Sequence, residues 1–169
     1  MSSGLFFISC QLLAIGGAMK ILSPSAASRA WESLGFPSSF TFVRVVGILE
    51  FSSALSAAVI GGKLLPLIVG SWYALFFVVI FRLFRMPESP PCGCFGSSNT
   101  PASIRHLIMN FFFMTLSVFA IGTNGLSAEM SSSELNSVLY LLVIIGGAGL
   151  SYLVLILNRM SFVRFTDSQ

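Results

Sequence analysis

Charged residues are scarce in this chain. Nine Lys/Arg and six Asp/Glu make up 9% of its 169 residues, whereas soluble domains carry about 25%. This shortage excludes an ordinary soluble domain, since too few charges are present to cover a water-facing surface. Hydrophobic residues make up 55%, among them 17 Phe, and mean hydropathy is +0.90. We therefore expect a polytopic integral membrane protein, with residues 1–169 forming a single transmembrane domain.

Other absences narrow the function. The chain contains neither a P-loop nor a nucleophile elbow, and its single His provides no Ser/His/Asp set, which excludes phosphate chemistry and hydrolysis by these routes. The basic pI near 9.0 does not indicate nucleic acid binding, because the basic residues flank apolar runs, as membrane topology requires. The first residues, "MSSGLFFISC", lack the positive region of a signal peptide, so they are expected to open the first span.

Five apolar runs are long enough to be transmembrane helices, which need about 20 residues. They cover about Gly4 to Leu22, Phe40 to Ile60, Leu64 to Phe84, Ile104 to Gly122 and Val138 to Leu157. The runs are continuous and do not alternate in polarity, which favours helices over a barrel. The sequence thus predicts an all-α integral membrane protein, a four-helix transmembrane bundle plus a fifth C-terminal transmembrane helix (about 138–157).

A short helix is predicted between the first two spans, in the segment "SPSAASRAWESLGF". Ser23 suits an N-cap, Pro24 the first helical position, and Gly35 a C-terminal stop. Small and apolar residues recur on one face, with Trp31 among them. Because Trp is enriched at membrane surfaces, the helix is expected to be interfacial.

Basic residues are distributed unevenly between the two faces of this arrangement. One face carries Lys20, Arg29, Arg44, Arg82, Arg85, Arg105, Arg159 and Arg164, and the other carries Lys63. The positive-inside rule therefore predicts a multi-pass protein of the cell (inner) membrane with its N-terminus outside. The loop after the third span and the C-terminus would then be cytoplasmic.

That loop, "PESPPCGCFGSS", holds Cys92 and Cys94 on either side of Gly93. Two thiols at this spacing can pair with each other, exchange with another protein's cysteines, or share a soft metal. A ring closed by such close cysteines is expected to be strained, and strain makes a disulfide labile and suited to exchange. The following helix N-terminus and Arg105 would favour the thiolate. The pattern predicts a redox pair; the alternative is that both are ordinary turn residues.

Cys10, the third cysteine, lies about six residues into the first span from the opposite face. Some twelve residues of helix, roughly 18 Å, separate it from the face of the cysteine loop. It is predicted to be a small residue that faces the core or lipid, not a partner for Cys92 or Cys94.

Glu50 is the acid nearest the centre of a span. Intramembrane acids usually face the bundle with a partner. Gly47, Ala54 and Gly61 recur every seven residues beside it, so another helix can approach closely. The candidate partners are Lys20 and Asn110. A structural ion pair, a proton acceptor and a quinone contact all remain open as its role.

Two further basic positions and one imidazole complete the candidate site residues. Arg44 is expected to be an interface anchor, as Lys20 would be if it did not pair. His106 follows the cysteine loop, and with Cys92 and Cys94 it could hold Cu(I) or zinc, although the spacing matches no established zinc pattern. The sequence does not require a cofactor. Quinone is the one cofactor that the pattern leaves possible.

The segment "PCGCFG" (Pro91 to Gly96, including Phe95) resembles the cysteine signature of the MauE methylamine-utilisation family, which is related to the DoxX-like membrane proteins. "GGAMKIL" and "RVVGILEF" resemble two weaker motifs of that family, which contain Lys20, Arg44 and Glu50. The resemblance covers about residues 5–122. It implies a redox-associated membrane protein that acts in maturation of a disulfide-rich periplasmic dehydrogenase with a thioredoxin-like partner. The implied fold is a four-helix bundle similar to the vitamin K epoxide reductases.

The chain departs from those disulfide enzymes in two ways. It has no second cysteine pair, so a second protein must supply or accept the electrons. The predicted cytoplasmic loop also conflicts with disulfide formation, which belongs outside the cytosol.

Three hypotheses follow from the sequence. The first is a membrane thiol-disulfide oxidoreductase that exchanges with a thioredoxin-like or client protein. The second is a non-catalytic subunit or assembly factor of a membrane complex, which the extra fifth span and its Gly147/Ser151 face favour. The third is a soft-metal carrier.

Overall fold

The computed structural model describes residues 2–86, 102–122 and Gly146. Its regular elements over these residues are five α-helices. They are α1 (Ser2–Leu22), α2 (Pro24–Ser33), α3 (Phe40–Ile60), α4 (Leu64–Phe84) and α5 (Ile104–Phe119). The all-α prediction is therefore confirmed for the part of the chain that is described.

The three long helices match the predicted spans closely. The stretch Gly4–Leu22 of α1, together with α3 and α4, is long and apolar enough to cross a membrane. The fourth prediction was too long: α5 begins at Ile104 as expected but ends at Phe119. Its 16 residues rise about 24 Å, less than the roughly 30 Å of a hydrocarbon core. The predicted fifth span lies outside the described residues, so the four-plus-one count stays a prediction.

Local sequence explains where the long helices begin and end. The side chain of Ser39 accepts a hydrogen bond from the backbone N–H of Phe42 at 3.2 Å and caps the start of α3. Gly61 and Gly62 follow α3 with φ angles of 68° and 91°, which glycine adopts without steric cost. The backbone N–H of Gly122 donates to the carbonyl of Gly62 at 3.1 Å. This bond holds the end of α5 beside the turn between α3 and α4.

The predicted short helix is present as α2. Pro24 occupies its first turn as expected, but the Ser23 side chain makes no capping hydrogen bond. The small-residue face is buried, and Trp31 packs edge-on against Phe42 of α3 with ring centroids 5.5 Å apart. Ser28 donates to the carbonyl of Ser38. These contacts fix α2 against the start of α3; its position at a membrane surface stays a prediction.

The bundle consists of two helix pairs. α1 packs mainly against α3 and α4 mainly against α5, with fewer contacts between the pairs. A first core cluster joins the pairs and contains Phe6, Cys10, Leu13, Ala54, Ala57, Val69, Tyr73 and Ala120. A second cluster contains Ala30, Ile80, Leu83, Ala102 and Leu107. This second cluster places α2, the end of α4 and the start of α5 at the same end of the bundle.

Large apolar side chains cover much of the outer surface. On α3 alone, Ile48, Leu49, Leu55 and Ile60 are each more than half exposed. An apolar surface this extensive is typical of a protein surrounded by lipid, and it is consistent with the predicted membrane location.

Candidate functional site

The site begins where α1 and α3 touch at two glycines. A Cβ added to Gly17 would lie 2.6 Å from the carbonyl oxygen of Gly47, and one added to Gly47 would lie 2.7 Å from that of Gly17. No side chain fits at either position without a shift of the backbone. The predicted narrow seam of α3 is confirmed, because Gly47, Ala54 and Gly61 are all buried. Sequence reasoning did not identify Gly17 as the opposing residue.

One turn from this crossing, a buried ion pair joins the two helices. Lys20 Nζ lies 2.8 Å from Glu50 Oε2, and the side chains are 4% and 0% exposed. The ammonium group also lies 4.7 Å from the centroid of the Phe76 ring on α4, a favourable cation–π geometry. Of the two predicted partners for Glu50, Lys20 is the one that binds it. Lys20 therefore does not take the role of interface anchor that was expected of it without a partner, because its charge is neutralised inside the bundle.

A cavity of about 40 Å³ adjoins this ion pair. It is lined by Leu12, Leu13, Gly16, Lys20, Glu50, Tyr73, Phe76, Ile80, Met109, Asn110 and Phe113. Thus α1 and α3 supply the charged wall, and α4 and α5 supply the aromatic and amide walls. Glu50 Oε1 is buried and has no hydrogen-bond partner within the described part of the chain. The site therefore presents one open acceptor on an otherwise neutral pair.

Asn110, the other predicted partner of Glu50, lines the cavity but does not bond to the carboxylate. Its Nδ2 donates to the backbone carbonyl of His106 at 2.7 Å. Asn110 and Glu50 both line the cavity. The direct bond to Glu50 is not observed.

Two further polar contacts were not anticipated from the sequence. The Tyr73 hydroxyl donates to the backbone carbonyl of Ser9 at 2.6 Å, and Trp72 Nε1 donates to Ser53 Oγ at 3.0 Å. Both residues lie inside the long apolar helix α4, where a phenol or indole must find an acceptor. The need of these two side chains for an acceptor was the sequence signal from which the contacts could have been predicted. The bonds tie α4 to α1 and to α3.

The remaining predicted polar residues lie apart from the ion pair. Arg44 is exposed on α3 and Arg105 is exposed in the first turn of α5; their predicted roles, interface anchor and support of the thiolate, stay predictions. His106 is half-buried, with Nδ1 2.9 Å from Ser103 Oγ. Within 2–86 and 102–122, no group of three His, Cys, Asp or Glu side chains could hold a metal. The alternative site of Cys92, Cys94 and His106 stays untested, since both cysteines lie outside those ranges.

Cys10 is 1% exposed and belongs to the first core cluster. Its neighbours include Phe6 and Leu13 of its own helix and Tyr73 of α4. The prediction that Cys10 is a small core-facing residue is confirmed.

The predicted redox pair lies outside the described residues, as do its neighbours Gly93, Phe95 and Gly96; the pair is Cys92 and Cys94. Its two flanks are described. On one side Leu83 belongs to the second cluster and Met86 packs against it; on the other, Ala102 and Leu107 belong to the same cluster. The described chain on both sides of residues 87–101 therefore packs in this one cluster.

A family model described as Methylamine utilisation protein MauE matches residues 2–123. The chain belongs to the MauE family. Comparisons with curated proteins and with solved structures gave no match. The resemblance stated from the cysteine motif is confirmed as to MauE; the relation to the DoxX-like proteins stays an expectation.

The MauE match takes in the five described helices and the cysteine segment. Lys20, Glu50, Cys92 and Cys94 thus all lie in the part shared with the family. The predicted fifth span, about 138–157, lies beyond the matched residues. This chain is a MauE-family membrane protein with a C-terminal extension to that match.

Proposed function

We propose that this MauE-family chain is a redox-associated membrane protein whose Cys92 and Cys94 exchange a disulfide with a thioredoxin-like or client protein. The observation that carries the proposal is the position of the two flanks of the cysteine segment. Leu83 and Ala102 meet in one buried cluster, at the end of the bundle where α2 also lies. The described chain on either side of residues 87–101 is thereby anchored in the same cluster.

The exchange needs only two thiols and a partner. A thiolate of the chain attacks the partner's disulfide and forms a mixed disulfide, and the second thiolate resolves it. The Cys92–Cys94 bond then forms, two thiol protons are released, and two electrons pass to the partner, which takes up two protons as its thiols form. The reverse direction follows the same steps. Arg105, exposed near the segment at the start of α5, supplies positive charge that favours the thiolate.

Because the chain has no second cysteine pair, another protein must complete the redox cycle of Cys92 and Cys94. Cys10 is the one other sulfhydryl in the sequence, and it is buried in the core. The chain therefore does not relay electrons through a second pair of its own, and a second protein restores the starting state. Assignment to methylamine utilisation follows the family's description, and the client would be a disulfide-containing enzyme of that process.

The test is to trap the intermediate. Of the Cys92→Ser and Cys94→Ser variants, the one that lacks the resolving thiol should accumulate a mixed disulfide with the partner that disappears on reduction, and the one that lacks the attacking thiol should form none. Cys10→Ser is the matched control, because it removes a thiol of the same chain and should leave trapping and client oxidation unchanged.

Client oxidation that is unaffected in the Cys92→Ser/Cys94→Ser double variant would overturn the proposal. If such a variant also co-purified with other membrane proteins at fixed stoichiometry, the role of a non-catalytic subunit or assembly factor would be selected. Metal that co-purifies only with intact thiols would select the soft-metal carrier.

A further inference from the structure

Glu50 lines the cavity and carries an acceptor, Oε1, that has no partner among the described residues and that the disulfide chemistry does not use. Glu50 is 0% exposed, its Oε2 accepts from Lys20, and its Oε1 has no partner among the described groups. A buried polar atom without a hydrogen bond is costly, and native structures rarely leave one so. The arrangement therefore points to a species that donates to Oε1.

Size limits what that species can be. An engineered apolar cavity of about 150 Å³ holds benzene, and this cavity is about 40 Å³. This volume favours small molecules over a quinone ring, whose contact with Glu50 stays a prediction. At a minimum of about 10–15 Å³ per water, the same volume holds up to about three water molecules.

Charge balance sets a second limit. The ammonium of Lys20 already neutralises the carboxylate, and Phe76 covers that ammonium. A second cation at Oε1 would be repelled by Lys20, and an anion would be repelled by Glu50. A neutral hydrogen-bond donor meets neither repulsion. Asn110 on the opposite wall adds an amide with which such a donor can also bond.

We propose that this cavity is a binding site for water, in which one molecule donates to Glu50 Oε1 and bridges the α1–α3 pair to the α4–α5 pair. The proposal goes beyond the disulfide exchange and does not depend on it. It gives the two helix pairs a hydrated polar junction in a bundle whose outer surface faces lipid.

The experiment uses the full-length protein in lipid nanodiscs with labelled Leu, Ile and Val methyl groups. Magnetisation transfer from water to methyl protons is measured by NMR. Leu13 and Ile80 line the cavity, and we expect water cross-peaks on both. Val69 and Leu83 are the matched controls: both are 0% exposed and neither lines the cavity, so they should show none.

Two double variants separate water from the exchanging protons of the Lys20 ammonium. Lys20→Met/Glu50→Gln removes the ammonium but keeps an acceptor, and it should retain the cross-peaks. Lys20→Met/Glu50→Leu removes both polar groups and should lose them. If the second variant does not fold, Asn110→Leu provides a milder loss of polarity and should weaken the same signals.

Wild-type protein that lacks water cross-peaks on Leu13 and Ile80 would overturn the proposal. So would cross-peaks from lipid acyl protons at those methyls, since they would show that the cavity is filled by hydrocarbon. Loss of the cross-peaks in Lys20→Met/Glu50→Gln would show that they arise from the Lys20 ammonium, and this result would also overturn the proposal.

Discussion

The ammonium of Lys20 donates a hydrogen bond to the carboxylate of Glu50 over 2.8 Å, across 30 residues of sequence. The bond joins α1 to α3 at a depth where neither group meets solvent. A buried pair of this kind costs desolvation energy when it forms, and removal of one partner leaves the other uncompensated. Its effect on stability is therefore best seen by removing one charge and then both.

We expect Lys20→Met or Glu50→Leu alone to lower the free energy of unfolding by about 3–5 kcal/mol, because each leaves a buried charge without its counterion. The Lys20→Met/Glu50→Leu double variant should recover most of that loss. The measurement is denaturant- or SDS-induced unfolding of the purified protein in mixed micelles. Lys63→Met serves as control, since Lys63 is exposed and should change little.

The ion-pair interpretation would be contradicted if the double variant lost as much free energy of unfolding as the two single variants together. The quantity to be measured is the coupling free energy between Lys20 and Glu50, which a double-mutant cycle isolates.

The glycine crossing predicts a strong dependence on side-chain size. Gly17→Ala places a methyl group 2.6 Å from a backbone carbonyl, and overpacking of this kind typically costs about 1–3 kcal/mol. Gly70→Ala is the matched control, because its new Cβ would lie 3.3 Å from the Ser117 side chain. In detergent, the midpoint temperature of thermal unfolding of Gly17→Ala should be well below that of Gly70→Ala. Equal midpoints for the two variants would argue against the close contact of α1 and α3.

The tyrosine of α4 predicts a smaller but specific effect. Tyr73→Phe removes the hydroxyl that donates to the Ser9 carbonyl in the core, and a buried hydrogen bond contributes about 1 kcal/mol. Trp72→Phe removes the partly buried bond to Ser53 and gives a useful comparison on the same helix. Unfolding curves for both variants check this; a Tyr73→Phe protein as stable as wild type would be the contrary result.

The burial of Cys10 predicts an inert thiol. In a Cys92→Ser/Cys94→Ser variant, Cys10 should react with a maleimide only after the protein is unfolded, because the reagent needs an exposed thiolate. Mass spectrometry of the labelled chain measures this. Rapid labelling of the folded variant would place Cys10 in contact with solvent and contradict the core packing.

The orientation prediction is tested with the complementary variant. In Cys10→Ser protein, a membrane-impermeant thiol reagent should label Cys92 and Cys94 in inside-out vesicles and not in intact cells, as the distribution of basic residues indicates. Labelling in intact cells would reverse the orientation. It would also remove the conflict with disulfide formation outside the cytosol.

Much of the fold was readable from the sequence because long apolar runs leave little choice. The predicted edges Phe40, Ile60, Leu64 and Phe84 match α3 and α4. The end of α5 was missed because Ala120 and Ile121 continue the apolar pattern into a turn. Hydropathy does not register the backbone bond from Gly122 to the carbonyl of Gly62, which holds the end of α5 beside the turn between α3 and α4.

The site was partly readable. Glu50 was an obvious candidate, since an acid inside a span needs a partner, and Lys20 was one of two choices. Its full burial was not expected, because sequence position suggests that a lysine near the end of a helix reaches the surface. Gly17 was missed since small residues are common in α1, and only the crossing geometry singles out one of them.

The shared anchoring of Leu83 and Ala102 in one cluster has a consequence for how such proteins diversify. A stretch that starts and finishes on the same support can be lengthened, shortened or exchanged without rebuilding the support. Under the proposed disulfide exchange, residues 87–101 would then be free to change with the client while the bundle stays the same, and grafting that stretch between relatives would transfer the choice of client.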